Sequence, residues 1–92
     1  MTEMEKLALL LTKSNIPFQV TSCWESPQIC YPSKANCICD AVCHSFSYGH
    51  EEGLLEIMGL VDEEEVGDTV EGWLTAEEVF NKILNHFVDE GI

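Results

Sequence analysis

Arginine is absent from this chain, and only four lysines stand against 17 acidic residues, for a net charge of −13. A potential of that sign repels DNA and RNA and attracts basic surfaces, so direct nucleic-acid binding is not expected. No apolar run approaches the ~20 residues that a membrane-spanning helix needs, so no membrane partner is expected. The first residues, Met1-Thr2-Glu3-Met4-Glu5-Lys6, read as an acidic helix start rather than a basic leader before an apolar block. A signal peptide is therefore not expected, and the cytoplasm is the expected compartment. Signatures of catalysis are missing too: there is no Gly-rich phosphate loop, Ser-His-Asp pattern or His-Glu-x-x-His motif. The tract Asp62-Glu63-Glu64-Glu65 lacks the alternating ligands and terminal Glu of a calcium loop. The chain is not expected to be an enzyme.

What is present is a folded composition. The 92 residues are 46% hydrophobic, too many for a disordered tail. They read as a single domain, 1–92, with no internal repeat or linker. A chain this short buries roughly 60–65% of its unfolded surface, so its core is modest. The charge is divided unevenly. Residues 1–50 carry four acids against three lysines, a net of −1, whereas residues 51–92 carry thirteen acids against Lys82 alone, a net of −12.

Periodicity gives an α+β fold. Residues 2–14 predict a helix: Thr2 with Glu5 fits a capping box, and Met4, Leu7, Ala8 and Leu11 recur at helical spacing. Asn15 and Pro17 supply the stop. Residues 18–24 alternate, with Phe18, Val20 and Trp24 on one face, and predict a half-buried strand. Glu25-Ser26-Pro27 predicts a turn, residues 28–31 a second strand, and residues 32–36 another turn. A longer third strand is expected over 37–48, a turn over 49–53 and a fourth strand over 54–60. Residues 61–72 read as an acidic loop. Thr75 with Glu78 forms a second capping box before the stripe Val79, Phe80, Ile83, Leu84 and Phe87. The expected architecture is a four-stranded antiparallel meander with an N-terminal and a C-terminal helix packed on one face, in the order α-β-β-β-β-α.

The cysteines at 23, 30, 37, 39 and 43 form the next signal. Clustered thiols in a reducing compartment point to a metal or to plain burial more than to disulfides. A two-residue turn at Ser26-Pro27 would set Cys23 opposite Cys30. A four-residue loop at 33–36 would set Cys30 opposite Cys39. Directly opposite Cβ atoms are ~4.5–5.5 Å apart, close enough for thiolates to share a structural zinc with ~2.3 Å bonds. Cys37 and Cys43 share the Cys39 face and would complete the set. Cys39 and Cys43 would lie ~13 Å apart in a straight strand, so one metal cannot take both unless the strand bulges. In that case His44 or His50 would enter as a nitrogen ligand. The alternative is that the thiols are small apolar fillers. For thiol chemistry, the candidate is Cys43 with His50, because adjacent Cys43 and His44 point to opposite faces of a strand.

Asp62, Glu63, Glu64, Glu65, Asp68 and Glu71 crowd into ten residues. Either they form a solvated loop, or they imitate a phosphate backbone for a basic, nucleic-acid-binding protein. Trp73, just after them, reads as a core anchor for the second helix, with a partner-binding hot spot as the alternative. His86 falls on the polar side of that helix and is expected to be exposed.

Two blocks carry a resemblance. One is Ser47-Tyr48-Gly49-His50-Glu51-Glu52-Gly53-Leu54-Leu55-Glu56-Ile57-Met58-Gly59-Leu60; the other is Val70-Glu71-Gly72-Trp73-Leu74-Thr75-Ala76-Glu77-Glu78-Val79-Phe80. Together they resemble small acidic proteins carried by bacteriophages and other mobile elements. In size and charge the chain also resembles the small anti-CRISPR inhibitors. Those that act on type II systems bind the RNA-guided DNA nuclease and stop target DNA from loading or being cut, some of them through acidic surfaces. The resemblance implies a type II CRISPR nuclease as the partner, met in the cytoplasm of a bacterial host cell.

Overall fold

In the computed structural model, residues 1–61 and 70–91 are described. Both capping boxes form and set the helix starts. In α1 (Glu3–Lys13) the Glu5 amide donates to Thr2 Oγ1 at 3.1 Å, and the Thr2 amide donates back to Glu5 Oε1 at 3.0 Å. In α2 (Ala76–Glu90) Thr75 and Glu78 repeat the exchange. Each such cap contributes about 1 kcal/mol. Asn15 ends α1 in the left-handed region at φ 57, and Gly91 ends α2 at φ 66. Glu3 ties the two starts together: its Oε1 accepts the Ala76 amide at 2.8 Å, and its other oxygen pairs with Lys6 at 3.0 Å. The Ala76 amide first, and Lys6 second, hold the Glu3 carboxyl below its usual range.

Among the described residues the strands number five: β1 (Gln19–Cys23), β2 (Ser26–Pro32), β3 (Cys37–Val42), β4 (Leu55–Met58) and β5 (Val70–Leu74). They pair antiparallel in sequence order, as a meander. The expected α+β class and antiparallel meander are present, but a fifth strand falls partly within the stretch read as acidic loop. Alternation in Val70-Glu71-Gly72-Trp73-Leu74 is broken by a bulge. Ile57 faces Glu71 and Leu55 faces Leu74, so Gly72 and Trp73 together oppose Glu56. The third strand is shorter than expected. After Val42 the chain turns at His44, where Ser47 Oγ accepts the His44 amide and donates to the His44 carbonyl, both at 2.9 Å. Residues 43–54 then cross to β4 through a short 3₁₀ turn, His50–Glu52.

One face of the sheet packs under the helices. Ile29, Tyr31, Cys39, Ala41, Leu55, Ile57 and Leu74 meet Leu7 and Leu11 of α1 and Val79 and Ile83 of α2 in one core. Each fully buried leucine or isoleucine contributes about 1.5–3 kcal/mol. Tyr31 is buried there, with its hydroxyl 2.8 Å from His86 Nδ1. His86 is therefore half-buried against the core, not exposed as expected. The other face carries Thr21, Gln28, Cys30, Asp40, Val42, Glu56 and Met58, following the strand alternation. No helix among the described residues is long and apolar enough to cross a membrane.

Candidate functional site

The strand register decides what the cysteines do. The β1–β2 turn is Trp24-Glu25, both left-handed at φ 52 and φ 64, as a two-residue type I′ turn demands. Ser26 and Pro27 lie inside β2 instead. Pro27 precedes the first β2–β3 pair, Gln28 with Val42, so its missing N–H interrupts no ladder there. Cys23 consequently faces Ser26, and Cys30 faces Gln19 on one side and Asp40 on the other. Cys39 faces Tyr31 on the helix-covered side. The expected pairs Cys23 with Cys30 and Cys30 with Cys39 are not formed. A slip of one residue between β2 and β3 is enough to send Cys39 to the opposite face from Cys30.

All five thiols are free, and the register sends Cys30 and Cys39 to opposite faces. Cys30 and Cys37 lie side by side near the β2–β3 bulge. Cys37 is exposed as a residue, but partial desolvation of its thiol first, and the neighbouring Cys30 thiol second, push it up to about 11. Burial, reinforced by Asp40, pushes Cys39 up to about 12. Among the described residues no three His, Cys, Asp or Glu side chains converge as a metal site. The register puts Cys30 on the open face and Cys39 on the helix-covered face.

Cys43 and His50 do meet, with Sγ 3.9 Å from Nδ1. Burial pushes the Cys43 thiol up, which keeps it neutral near pH 7 and is the reverse of what activates a nucleophile. His44 is committed elsewhere: its Nδ1 accepts the Phe46 amide at 3.1 Å.

Of the acidic stretch, Asp62, Glu63, Glu64, Glu65 and Asp68 lie outside the described residues. Glu71 is described, and it belongs to the fold. It opposes Ile57 on the helix-covered face, and its Oε1 is 3.3 Å from Lys82 Nζ of α2. That ion pair compensates the charge, although the geometry falls short of a hydrogen bond to the buried oxygen. Glu71 is thus a poor candidate for a partner-facing acid.

Four of the exposed large hydrophobic side chains among the described residues are aromatic: Trp24, Phe46, Tyr48 and Trp73. Both tryptophans are exposed, Trp24 at 68% and Trp73 at 57%, and both have left-handed backbones, at φ 52 and φ 56. A bulky residue in that region is a conformational outlier. Each is gripped by the same segment, residues 43–54. Phe46 meets Trp24 edge to face at 5.0 Å, and Tyr48 stacks on Trp73 at 5.3 Å with the planes 15° apart. The reading of Trp73 as a core anchor is therefore overturned: the bulge at Gly72-Trp73 turns it out of the core.

Two glycines allow this seat. A Cβ on Gly72 would lie 2.2 Å from Tyr48 Cβ, and one on Gly49 would lie 3.0 Å from the Trp73 backbone. With both absent, the Trp73 amide reaches the Tyr48 carbonyl at 3.3 Å. The Glu56 carboxylate accepts the Tyr48 amide and so fixes the backbone that carries the ring.

Phe46, Tyr48 and Trp73 share a recess of about 270 Å³ with Glu51 and Glu52 of the 3₁₀ turn. His50, Ser45 and Ser47 also line it, and Trp24 lies outside it, against Phe46. The sequence held a faint sign of it: a glycine sits beside the ring in both Tyr48-Gly49 and Gly72-Trp73. Comparison with known protein families, curated proteins and solved structures gives no match, so this site is read from its own geometry.

Proposed function

We propose that this chain is a protein-binding module that docks a basic, nucleic-acid-binding protein through the aromatic end of its sheet. The observation that carries the reading is the exposure of both tryptophans, each in a left-handed conformation and each held by an aromatic ring of the same loop. Left-handed backbone at non-glycine residues costs of order 1–3 kcal/mol, and such strain clusters at functional sites. Exposed aromatics gathered at one place mark an interaction surface, and tryptophan is enriched among binding hot spots. The charge of −13 supplies steering toward a basic partner and repels nucleic acid.

In its specific form the proposal is a phage-type anti-CRISPR inhibitor of a type II CRISPR nuclease. The acidic, aromatic surface would occupy the arginine- and lysine-lined channel where target DNA loads. The resemblance of residues 47–60 and 70–80 to mobile-element proteins supports this form, and those two blocks contain the paired Tyr48 and Trp73.

The test is retention of a guide-loaded type II nuclease by the immobilised protein at low and high salt. Retention that weakens with salt is expected. Replacing Glu63, Glu64, Glu65 and Asp68 by their amides should reduce the salt dependence. Absence of the nuclease from the bound fraction at both salts removes the inhibitor reading.

A further inference from the structure

We infer that the recess between Phe46, Tyr48, Trp73, Glu51 and Glu52 is a receptor for one arginine side chain of the protein partner. This rests on the reading of the aromatic end as a docking surface and names what that surface takes in. Three aromatic rings and two carboxylates line the recess, with His50 beside them, and rings next to carboxylates favour a cation with a flat apolar face. A guanidinium stacks on indole and phenol rings and presents a fork of donors to carboxylates. An ammonium is a compact, strongly hydrated charge that uses the rings less well. The volume, about 270 Å³, is below the usual range for drug-sized ligands and suits a single side chain.

The site is also prebuilt. Tyr48 lies against one face of the Trp73 indole, Glu56 pins the Tyr48 amide, and Gly49 and Gly72 let the loop close on β5. Ordering these rings before binding lowers the entropy lost on association. The chain has no arginine of its own to fill the hollow, and Lys82 is occupied by Glu71. Charge complementarity therefore assigns the occupant to the partner.

The probe is the peptide acetyl-Gly-Arg-Gly-amide, with lysine and citrulline counterparts. It is titrated into the isotope-labelled chain while the Trp73 indole N–H and the Glu51 and Glu52 amides are followed by NMR. Citrulline keeps the shape of arginine and removes its charge. The arginine peptide should shift the Trp73 indole signal in a saturable way, the lysine peptide less, and the citrulline peptide not at all. In Trp73→Gly the response of Glu51 and Glu52 to arginine should weaken about tenfold, the size expected for loss of an exposed-to-partly-desolvated cation–π contact. Glycine adopts φ 56 without strain, so this variant keeps the backbone of β5. Equal responses to citrulline and arginine, or an arginine response undiminished in Trp73→Gly, would overturn the inference.

Nuclease retention, measured in parallel on the unaltered chain, separates the two levels. If the peptides fail while the nuclease is still held, the arginine receptor falls and the docking reading stands. If the arginine response is specific but the nuclease is not held, the receptor stands and the choice of nuclease falls.

Discussion

Tyr48 and Trp73 lie 25 positions apart in the chain and stack with ring centroids 5.3 Å apart, beside Gly72, which has no room for a methyl group against Tyr48. The stack is neither core nor loose surface. It is an outward-facing pair fixed by backbone: the Trp73 amide on the Tyr48 carbonyl, and the Tyr48 amide on Glu56.

Gly72→Ala should disrupt the loop. The added methyl would sit 2.2 Å from Tyr48 Cβ and 2.9 Å from its carbonyl oxygen. Because the obstruction includes backbone, relief requires residues 43–54 to move. A loss of about 1–3 kcal/mol in a urea titration is expected, as for an overpacked site. An unchanged midpoint would mean the loop is not seated on β5.

Trp73→Gly should change stability little. Glycine relieves roughly 1–2 kcal/mol of left-handed strain. Against that stand about 0.5–1.5 kcal/mol of lost stacking and the added freedom of glycine in the unfolded chain. The net effect expected from urea midpoints is within about 1 kcal/mol. A large destabilisation would show that Trp73 serves the fold and not the surface.

Alkaline pH should unfold the protein through its buried thiol. Burial raises Cys39 from an ordinary 9.0 to about 12, so the folded state holds a proton that the unfolded chain releases. That contribution is complete below pH 9 and is lost as pH rises through the window up to about 12. Burial raises Tyr31 as well, which adds in the same direction above pH 10. Cys37 is exposed, so its own rise carries little of the effect. Urea midpoints should fall steadily between about pH 9 and about pH 12, with a shallower fall in Cys39→Ala. Identical pH profiles for the two proteins would exclude Cys39 as the cause.

Chelation should leave the fold intact. The thiols sit on two faces, so zinc held by all five is not compatible with this register. Far-UV circular dichroism and Tm should not respond to a strong chelator. Release of stoichiometric zinc together with a fall in Tm would restore the zinc-stapled reading and require a different pairing of β1, β2 and β3.

Much of the scaffold was legible because its signals are local. Thr2 with Glu5 and Thr75 with Glu78 mark helix starts through contacts three residues apart, and Leu7, Leu11, Val79 and Ile83 mark the buried faces by spacing alone. The first hairpin misled for a physical reason. Ser26-Pro27 has turn chemistry, whereas the actual turn places Trp24 and Glu25 in a region such side chains seldom occupy. Once the turn moved, every cross-strand partner of Cys23 and Cys30 moved with it. His86 was misplaced because its partner, Tyr31, is 55 residues away.

The sequence alone determined the α+β class, the two capped helices, the antiparallel order and a net charge of −13. These follow from composition and from interactions that span a few residues. The tertiary structure alone decided which face each cysteine occupies, that Glu71 is held by Lys82, and that Trp73 points outward onto Tyr48. Each of those depends on register and on a bulge, and in a strand a displacement of one residue exchanges inside for outside.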